Sequence, residues 1–536
     1  MSKMFPDVVR QMLCRIRTGW ASGVREVTVS TVAIFAAATA SGATIKWTGG
    51  GDGTTWGNGD NWGGTAPGAE DEARLETPTT TIQIGSETTV SNITAATTGS
   101  ANVRLSISAN LNVAGAAKFA TQTGAKASID QSAGKTTIGG QLTLGGANAN
   151  TVEWDIHGNG AEMEVNKVSA VTYRGNGVCG LTVRNGATLN VTGTVELGHE
   201  GANANTPAGT AFLKVLDGAT ATIADLAFSH TGYGVVDVSN ATLTVTGAIR
   251  GNGGARAADG LERSTFSVWK GGKVIAKEIT FCQYQAHHEQ MVQWEGSEVE
   301  TGLIKISGYE QGGTGSASDI LYVVNGGKLT VSGNVTVGHN GQGEFHANGG
   351  EININGSTVY VECVPDIYTT DSETGEMTIT TQYAPSKLRI AGDAVFNAAL
   401  ADLKMNRISD WGWREGRVAL ELQGGKFDAT VKSLDWKAVA NNPHQSIIAI
   451  VDSTGLTGLK VLNNVAFNSP LSVEPSALEG AQYGTYTILS WGGTATGLGN
   501  VTLAADSSSN WELRIRESER RIDITYQPKG LTIVVR

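Results

Sequence analysis

Apolar and polar residues alternate along most of this chain in runs of three to five, and one or two turn residues close each run. Residues 181–201, LTVRNGATLNVTGTVELGHEG, show the pattern: apolar-x-apolar, Asn-Gly, apolar-x-apolar, Gly, apolar-x-apolar. Alternation with period two puts every second side chain on one side of an extended strand, so each run predicts a strand with one buried face. Val, Thr and Ile favour such strands, and Gly and Asn favour the corners between them. Strands this short, with corners this frequent, predict an all-β chain that turns continually.

The pattern also repeats. Residues 321–341, LYVVNGGKLTVSGNVTVGHNG, align without a gap on 181–201, so that Val183, Asn185, Gly186, Leu189 and Val191 return as Val323, Asn325, Gly326, Leu329 and Val331. His199 and His339 then fall at one repeat position. Weaker copies lie at 213–223, 236–247, 266–276 and 292–307. The apolar residues before the turns are Val183, Val215, Val238, Val268, Trp294 and Val323, at steps of 32, 23, 30, 26 and 29 residues. Such a period belongs to a solenoid or a propeller, and the unequal steps mean a constant strand core with loops of variable length. Short strands and tight corners favour a β-solenoid, where each strand pairs with its equivalents in neighbouring coils and inward residues stack in apolar columns. A propeller has longer strands and Trp-Asp punctuation, which this sequence lacks.

The string VVNGGKLTVSGNVTVGHNGQGEF (323–345) resembles the strand-loop-strand repeats of bacterial autotransporter passengers and PEP-CTERM-associated surface proteins. The Trp-Gly-Asn segment at 47–62 and YGTYTILSWGG at 483–493 resemble the opening and closing segments of such proteins. These motifs span most of the chain, and each is short and degenerate. The resemblance implies a right-handed parallel β-helix, exported to the cell surface or beyond. A complete autotransporter would add a membrane barrel of alternating strands. Here the residues after the repeats, ending in LTIVVR (531–536), leave no room for one, and no apolar sorting helix is expected there.

A solenoid exposes apolar columns and unpaired backbone at both ends, so its terminal units must differ from the rest. KWTGGGDGTTWGNGDNWGG (46–64) precedes the first strand-like runs, and its Trp47, Trp56 and Trp62 are large enough to cover an open core. Sugar stacking on these indoles is the alternative. A calcium turn of GGGDG type works in tandem copies, and a phosphate loop ends in Gly-Lys-Ser/Thr; neither is present. At the far end WELRIRESERRIDITY (511–526) predicts a hairpin with Leu513, Ile515, Ile522 and Ile524 inward. Its Arg514, Arg516, Arg521, Glu517 and Glu519 form a charged outer face that deters edge pairing. The expected organisation is a leader at 1–43, an N-terminal cap at 44–75, solenoid repeats at 76–482 with an inserted loop at 364–386, and capping strands at 483–536.

Composition narrows the partners. Gly numbers 71 and Pro 10, 17% of residues are charged, and the net charge is −11. A nucleic-acid surface needs clustered Lys and Arg, so none is expected. Residues 1–43 hold five basic and two acidic residues, which leaves 34 basic against 48 acidic, or −14, in the remainder. Within them VTVSTVAIFAAATA (27–40) followed by Ser-Gly-Ala reads as the apolar and cleavage regions of a signal peptide behind a long basic stretch. A non-cleaved helix is the alternative. The run is short for a membrane span, no second one approaches that length, and the mature chain is expected to be exported without a stable span. Cys179, Cys282 and Cys363 lack zinc spacing; they read as small buried residues, with one disulfide as the alternative.

Candidate chemistry is sparse. Cys282, His287, His288 and Glu289 form one local cluster without metal-ligand spacing. Asp155 and His157 in VEWDIHG, and Asp410 beside Trp411 and Trp413 in ISDWGWREG, are the places to seek a polysaccharide lyase or hydrolase, which needs converging carboxylates. The acidic insertion PDIYTTDSETGEMTITTQYAP (365–385) predicts a projecting hairpin that offers Tyr368, Asp371 and Glu373 as contacts. The expectation is a noncatalytic surface module without metal or cofactor, with surface glycans or cell-surface proteins as partners. A polysaccharide lyase or glycoside hydrolase on the same scaffold is the rival.

Overall fold

The computed structural model describes residues 42–76, 80–171, 177–198, 209–228, 233–251, 264–281, 289–308, 320–339, 343–362, 364–365, 367–370, 377–381, 385–407, 416–437, 445–507 and 510–528. All lie within the unit Gly42–Arg536. They fold as a right-handed parallel β-helix, with three-stranded coils stacked so that strands pair in parallel with their equivalents one coil before and one after; in one coil the second face is 178–184, the third 188–191 and the first face of the next turn 194–197. Among them the only helices are short 3-10 turns, and no helix is long and apolar enough to cross a membrane.

Alternation produces the core as the sequence requires. On the second face one inward column runs Ile82, Leu105, Ile129, Trp154, Leu181, Leu213, Val236, Phe266, Met291, Tyr322, Phe345, Leu388, Leu420, Ile447 and Val473, all buried. Its neighbour passes through Val183, Val215, Val238 and Val268. Burying an aliphatic side chain of this size contributes about 1.5–3 kcal/mol, so a continuous column is the main cohesive force between coils.

That second column corrects two assignments. It continues from Val268 to Gln293 and Val324, not to Trp294 and Val323. Val323 lies one place off, in register with Val292 and His346 on the outward side. The cause is corner length: six residues separate Val183 from Leu189, and five separate Val324 from Leu329. An ungapped alignment therefore keeps Leu189 with Leu329 and Val191 with Val331 in shared columns, and slips by one before the corner. Asn185 and Gly186 make their corner in the left-handed region, at φ 56° and 80°. A Cβ on Gly186 would also strike the Asn159 side chain of the preceding coil. Asn325 accepts a hydrogen bond from Asn348 Nδ2 at 3.0 Å, and Gly326 packs against the Glu295 backbone.

Gln131 and Gln293 stand in this otherwise apolar column, fully buried. Each turns its amide along the axis: Gln131 Nε2 donates to Glu162 O at 2.8 Å and Gln293 Nε2 to Lys328 O at 2.7 Å, both in the next coil. Where a valine would only fill space, the glutamine ties two coils together.

Coil length varies most at one corner. The last inward residue of the second face and that of the following first face are 13 residues apart in five successive coils: Val215 to Phe228, Val238 to Gly251, Val268 to Phe281, Gln293 to Ile306, and Val324 to Val337. The return from the first face to the second takes 10 residues from Phe228 to Val238 and 29 from Val361 to Ile390. The longest insertion falls at this corner, and a shorter one lengthens the corner between the second and third faces from 5 residues, Val324 to Leu329, to 10, Ala449 to Leu459. The insertion at 364–386 contains an antiparallel hairpin, Ile367–Thr370 with Met377–Thr381, which forms a separate two-stranded sheet.

At the C-terminal end Gly484–Trp491 pairs in parallel with Leu459–Val461 on one side and antiparallel with Arg521–Tyr526 on the other. Trp511–Arg516 completes the hairpin. Ile522 and Ile524 are buried as expected, and Leu513 packs partly buried against the core. Ile515 is not inward: it sits near the hairpin tip and is 37% exposed.

Candidate functional site

The tryptophan-glycine loop is built from within by two small polar residues. Asn61 is fully buried; its Oδ1 accepts from Gly51 N and Gly53 N at 3.0 and 2.8 Å, and its Nδ2 donates to Asp52 Oδ1 and Thr55 O at 2.8 and 2.9 Å. Asp52 Oδ1 also accepts from Thr54 N and Thr55 N, both at 2.8 Å. These donors hold the Asp52 carboxyl well below the usual carboxylate range, the Thr55 amide most strongly. Gly51 is needed because a side chain there would press on Asn58 and Asn61.

This framework delivers the indoles to the core. Trp56 and Trp62 are buried, with Trp62 Nε1 donating to Trp56 O at 2.7 Å. Trp62 meets Trp56 and Trp47 edge to face, at 4.8 and 5.0 Å between centroids, and Trp47 packs partly buried against the same core. The loop backbone joins the ladder through Trp56 N to Gln83 O and Gln83 N to Thr54 O, at 3.0 and 2.7 Å. Two of the three rings thus have their faces taken up by protein, which removes the stacking surface a sugar would use.

Asp155 and His157 do meet other chemistry. His157 Nε2 lies 2.8 Å from Asp130 Oδ1, and Asp155 receives a bidentate hydrogen bond from Arg184, whose Nη2 is 2.7 Å from Oδ2. Among the described residues Asp130, Asp155 and His157 form a group whose ligand atoms lie within 4.8 Å of one another. A metal ion there would have to displace the Arg184 guanidinium, which already neutralises Asp155. Cys179 is free and buried, and burial pushes its thiol up to about 12, far from a reactive thiolate.

Tyr368 belongs to the strand Ile367–Thr370, but its side chain, like Asp371, Glu373, Asp410, Trp411 and Trp413, lies outside the described residues. So do His199, Cys282, His287, His288, Cys363 and the leader residues 1–41.

The structure adds two features to the sequence reading, which saw the outward Thr and Asn of the repeats but not where they line up. One is a continuous outward column on the third face: Thr89, Asn112, Thr137, Glu164, Asn190, Thr222, Thr244, Ile275, Glu300, Thr330, Asn353, Asn397 and Thr430. Thr188, Thr220 and Thr242 flank its middle. Its Glu164 and Glu300 belong to two equivalent clusters, Lys135 with Glu162 and Glu164, and Lys273 with Glu298 and Glu300, in which each lysine is shared by two carboxylates of the next coil at 2.7–3.1 Å. The second feature is the exposed, stacked pair Trp269 and Trp294. Its sequence signal was the Trp one place beyond the strand in SVWKGG and VQWEGS, masked by taking Trp294 for a core residue.

Comparison of the chain with protein-family models, with curated proteins and with solved structures finds no match.

Proposed function

We propose that this chain is an exported, noncatalytic β-solenoid that acts as a structural or adhesive module at the cell surface, as its autotransporter-like repeats suggest. The observation that carries the proposal is the third-face column, where Thr and Asn recur from coil to coil with few charges and its two glutamates, Glu164 and Glu300, are each paired with a lysine. An enzyme needs a few groups with unmet electrostatic demand converging on one substrate atom. This face instead repeats the same modest hydrogen-bonding groups at the strand spacing of about 4.8 Å, a pattern suited to an extended contact. The rigid stack sets the spacing, and the corner with the longest insertion supplies the variable loops.

The test pairs binding with turnover. Purified protein is applied to a glycan array and to intact cell surfaces, and reducing-sugar release is followed on every polysaccharide that is bound. Binding without product is expected; sustained product release would overturn the noncatalytic reading.

A further inference from the structure

Trp269 and Trp294 occupy the same corner position in consecutive coils, each one residue beyond the paired inward residues Val268 and Gln293. Their rings stack flat, with centroids 5.1 Å apart and planes 2° from parallel. Despite that contact they remain 40% and 37% exposed. Asp237 Oδ1 accepts from Trp269 Nε1 at 3.1 Å and fixes the orientation of the first ring. The corner positions one coil before and after carry Ser239 and Asn325, so the fold does not require an aromatic residue here.

We propose that this pair is a carbohydrate-binding platform for a neutral polysaccharide, a reading that rests on the adhesive function above. A pyranose presents a face of C–H groups that packs on the electron-rich face of an indole, while its hydroxyls need polar neighbours. Both are present. The rings are bordered by Ser239, Lys270, Glu295 and Asn325, and the rungs that follow them around the corner carry Lys273 with Glu298 and Glu300, polar groups that can hydrogen-bond sugar hydroxyls. An interface for a protein would surround such anchors with wide exposed apolar surface; here the corner residues are polar, and the outward strand positions beside the rings, Asp237, Ser267, Val292 and Val323, add two valines of which Val323 is buried. Stacking and the Asp237 hydrogen bond hold the rings in place before any ligand arrives, so binding loses little side-chain entropy. The site lies far along the chain from the buried indoles of the opening loop.

The probes are insoluble cellulose, chitin and xylan, with an array of soluble neutral oligosaccharides. The full chain is expected to be retained on at least one of them, and the double variant Trp269→Ala/Trp294→Ala to bind about tenfold or more weakly. Trp269→Phe/Trp294→Phe, which keeps flat rings, should stay within a few-fold of the parent. Leu400→Ala, which removes an exposed apolar side chain elsewhere, should change nothing. Circular dichroism and unfolding midpoints check that each variant is folded. Should the alanine variant fail to fold, loss of oligosaccharide-induced quenching of tryptophan fluorescence in single Trp→Phe variants decides instead, and unchanged quenching in both overturns the platform. No retention of the parent on any probe, or equal retention of the folded alanine variant, also overturns it. Retention on protein-coated surfaces alone would overturn the platform and leave the adhesive function standing. Product release would remove the noncatalytic reading and leave the platform to be judged by the variants.

Discussion

The two ends of this solenoid solve the same problem by opposite means. At the front, a loop with almost no ladder of its own folds around Asn61 and lays indoles on the open core. At the back, the ladder itself reverses: Gly484–Trp491 is parallel on one side and antiparallel on the other, and the returning strand carries Ile522 and Ile524 into the core. Each uses a fully buried polar residue to hold its shape. Asn61 does so with neutral hydrogen bonds. Asp523 is fully buried in the hairpin, where it accepts from Thr487 Oγ1 at 2.7 Å and stands 2.9 and 3.2 Å from Arg516 Nε and Arg521 Nε. The front cap depends on side-chain volume and local turns, and the back cap on continued strand pairing.

Truncating volume should therefore hurt the front most. Trp62→Ala removes a ring that touches both other indoles and is expected to cost about 3–5 kcal/mol, against about 2–4 kcal/mol for Ile524→Ala, where strand pairing survives. Hydrogen exchange resolved by peptide is the measurement. Trp62→Ala should release protection across 47–90 and leave 459–526 unchanged, and equal loss at both ends would break the comparison.

The next effect concerns the buried polar residues. Asn61→Ala leaves the Gly51 and Gly53 amides without their acceptor and is expected to cost about 2–3 kcal/mol. Asp523→Ala should cost about 1–2 kcal/mol, because its two arginines are a third exposed, keep Glu519 as a partner and can turn to water. Denaturant unfolding monitored at each end would detect the order. A larger loss for Asp523→Ala would mean that charge holds the back cap more tightly than its solvent contact allows.

How much of this was legible follows from what each signal depends on. Inward columns read directly, since Leu189 and Leu329, or Val191 and Val331, are fixed by period-two alternation within a strand. The slip at Val323 was not legible, because a corner of five or six residues leaves the same string of apolar and turn residues on either side. Burial of Trp56 and Trp62 followed from the need to close an open core, a constraint of the whole architecture. The exposed pair Trp269 and Trp294 did not, since a tryptophan one place beyond a strand looks in sequence like the end of that strand. The Thr and Asn column was in plain view residue by residue and became a surface only once parallel register set the rungs side by side. Arg516 and Arg521 were read as part of a charged outer face with no account of Asp523, whose carboxylate the register turns inward beside them.

The smallest expected effect separates the two caps by pH. Asp52 is held below its ordinary value by loop amides, so the stability it lends is fully present above the free value of 3.8 and is lost as pH falls through and below that value. Near neutral pH the loop should show no dependence on pH from this group. From about pH 5 to about pH 2.5 protection of residues 47–64 should fall in the parent chain and fall less in Asp52→Asn, whose amide oxygen still accepts from Thr54 and Thr55 but cannot take up a proton in that range. The group is open to solvent, so the difference belongs at the edge of detection, and it should be confined to the front peptides. An equal fall in both chains would assign the acid sensitivity of this end to other carboxylates and leave Asp52 as a turn residue whose charge is incidental.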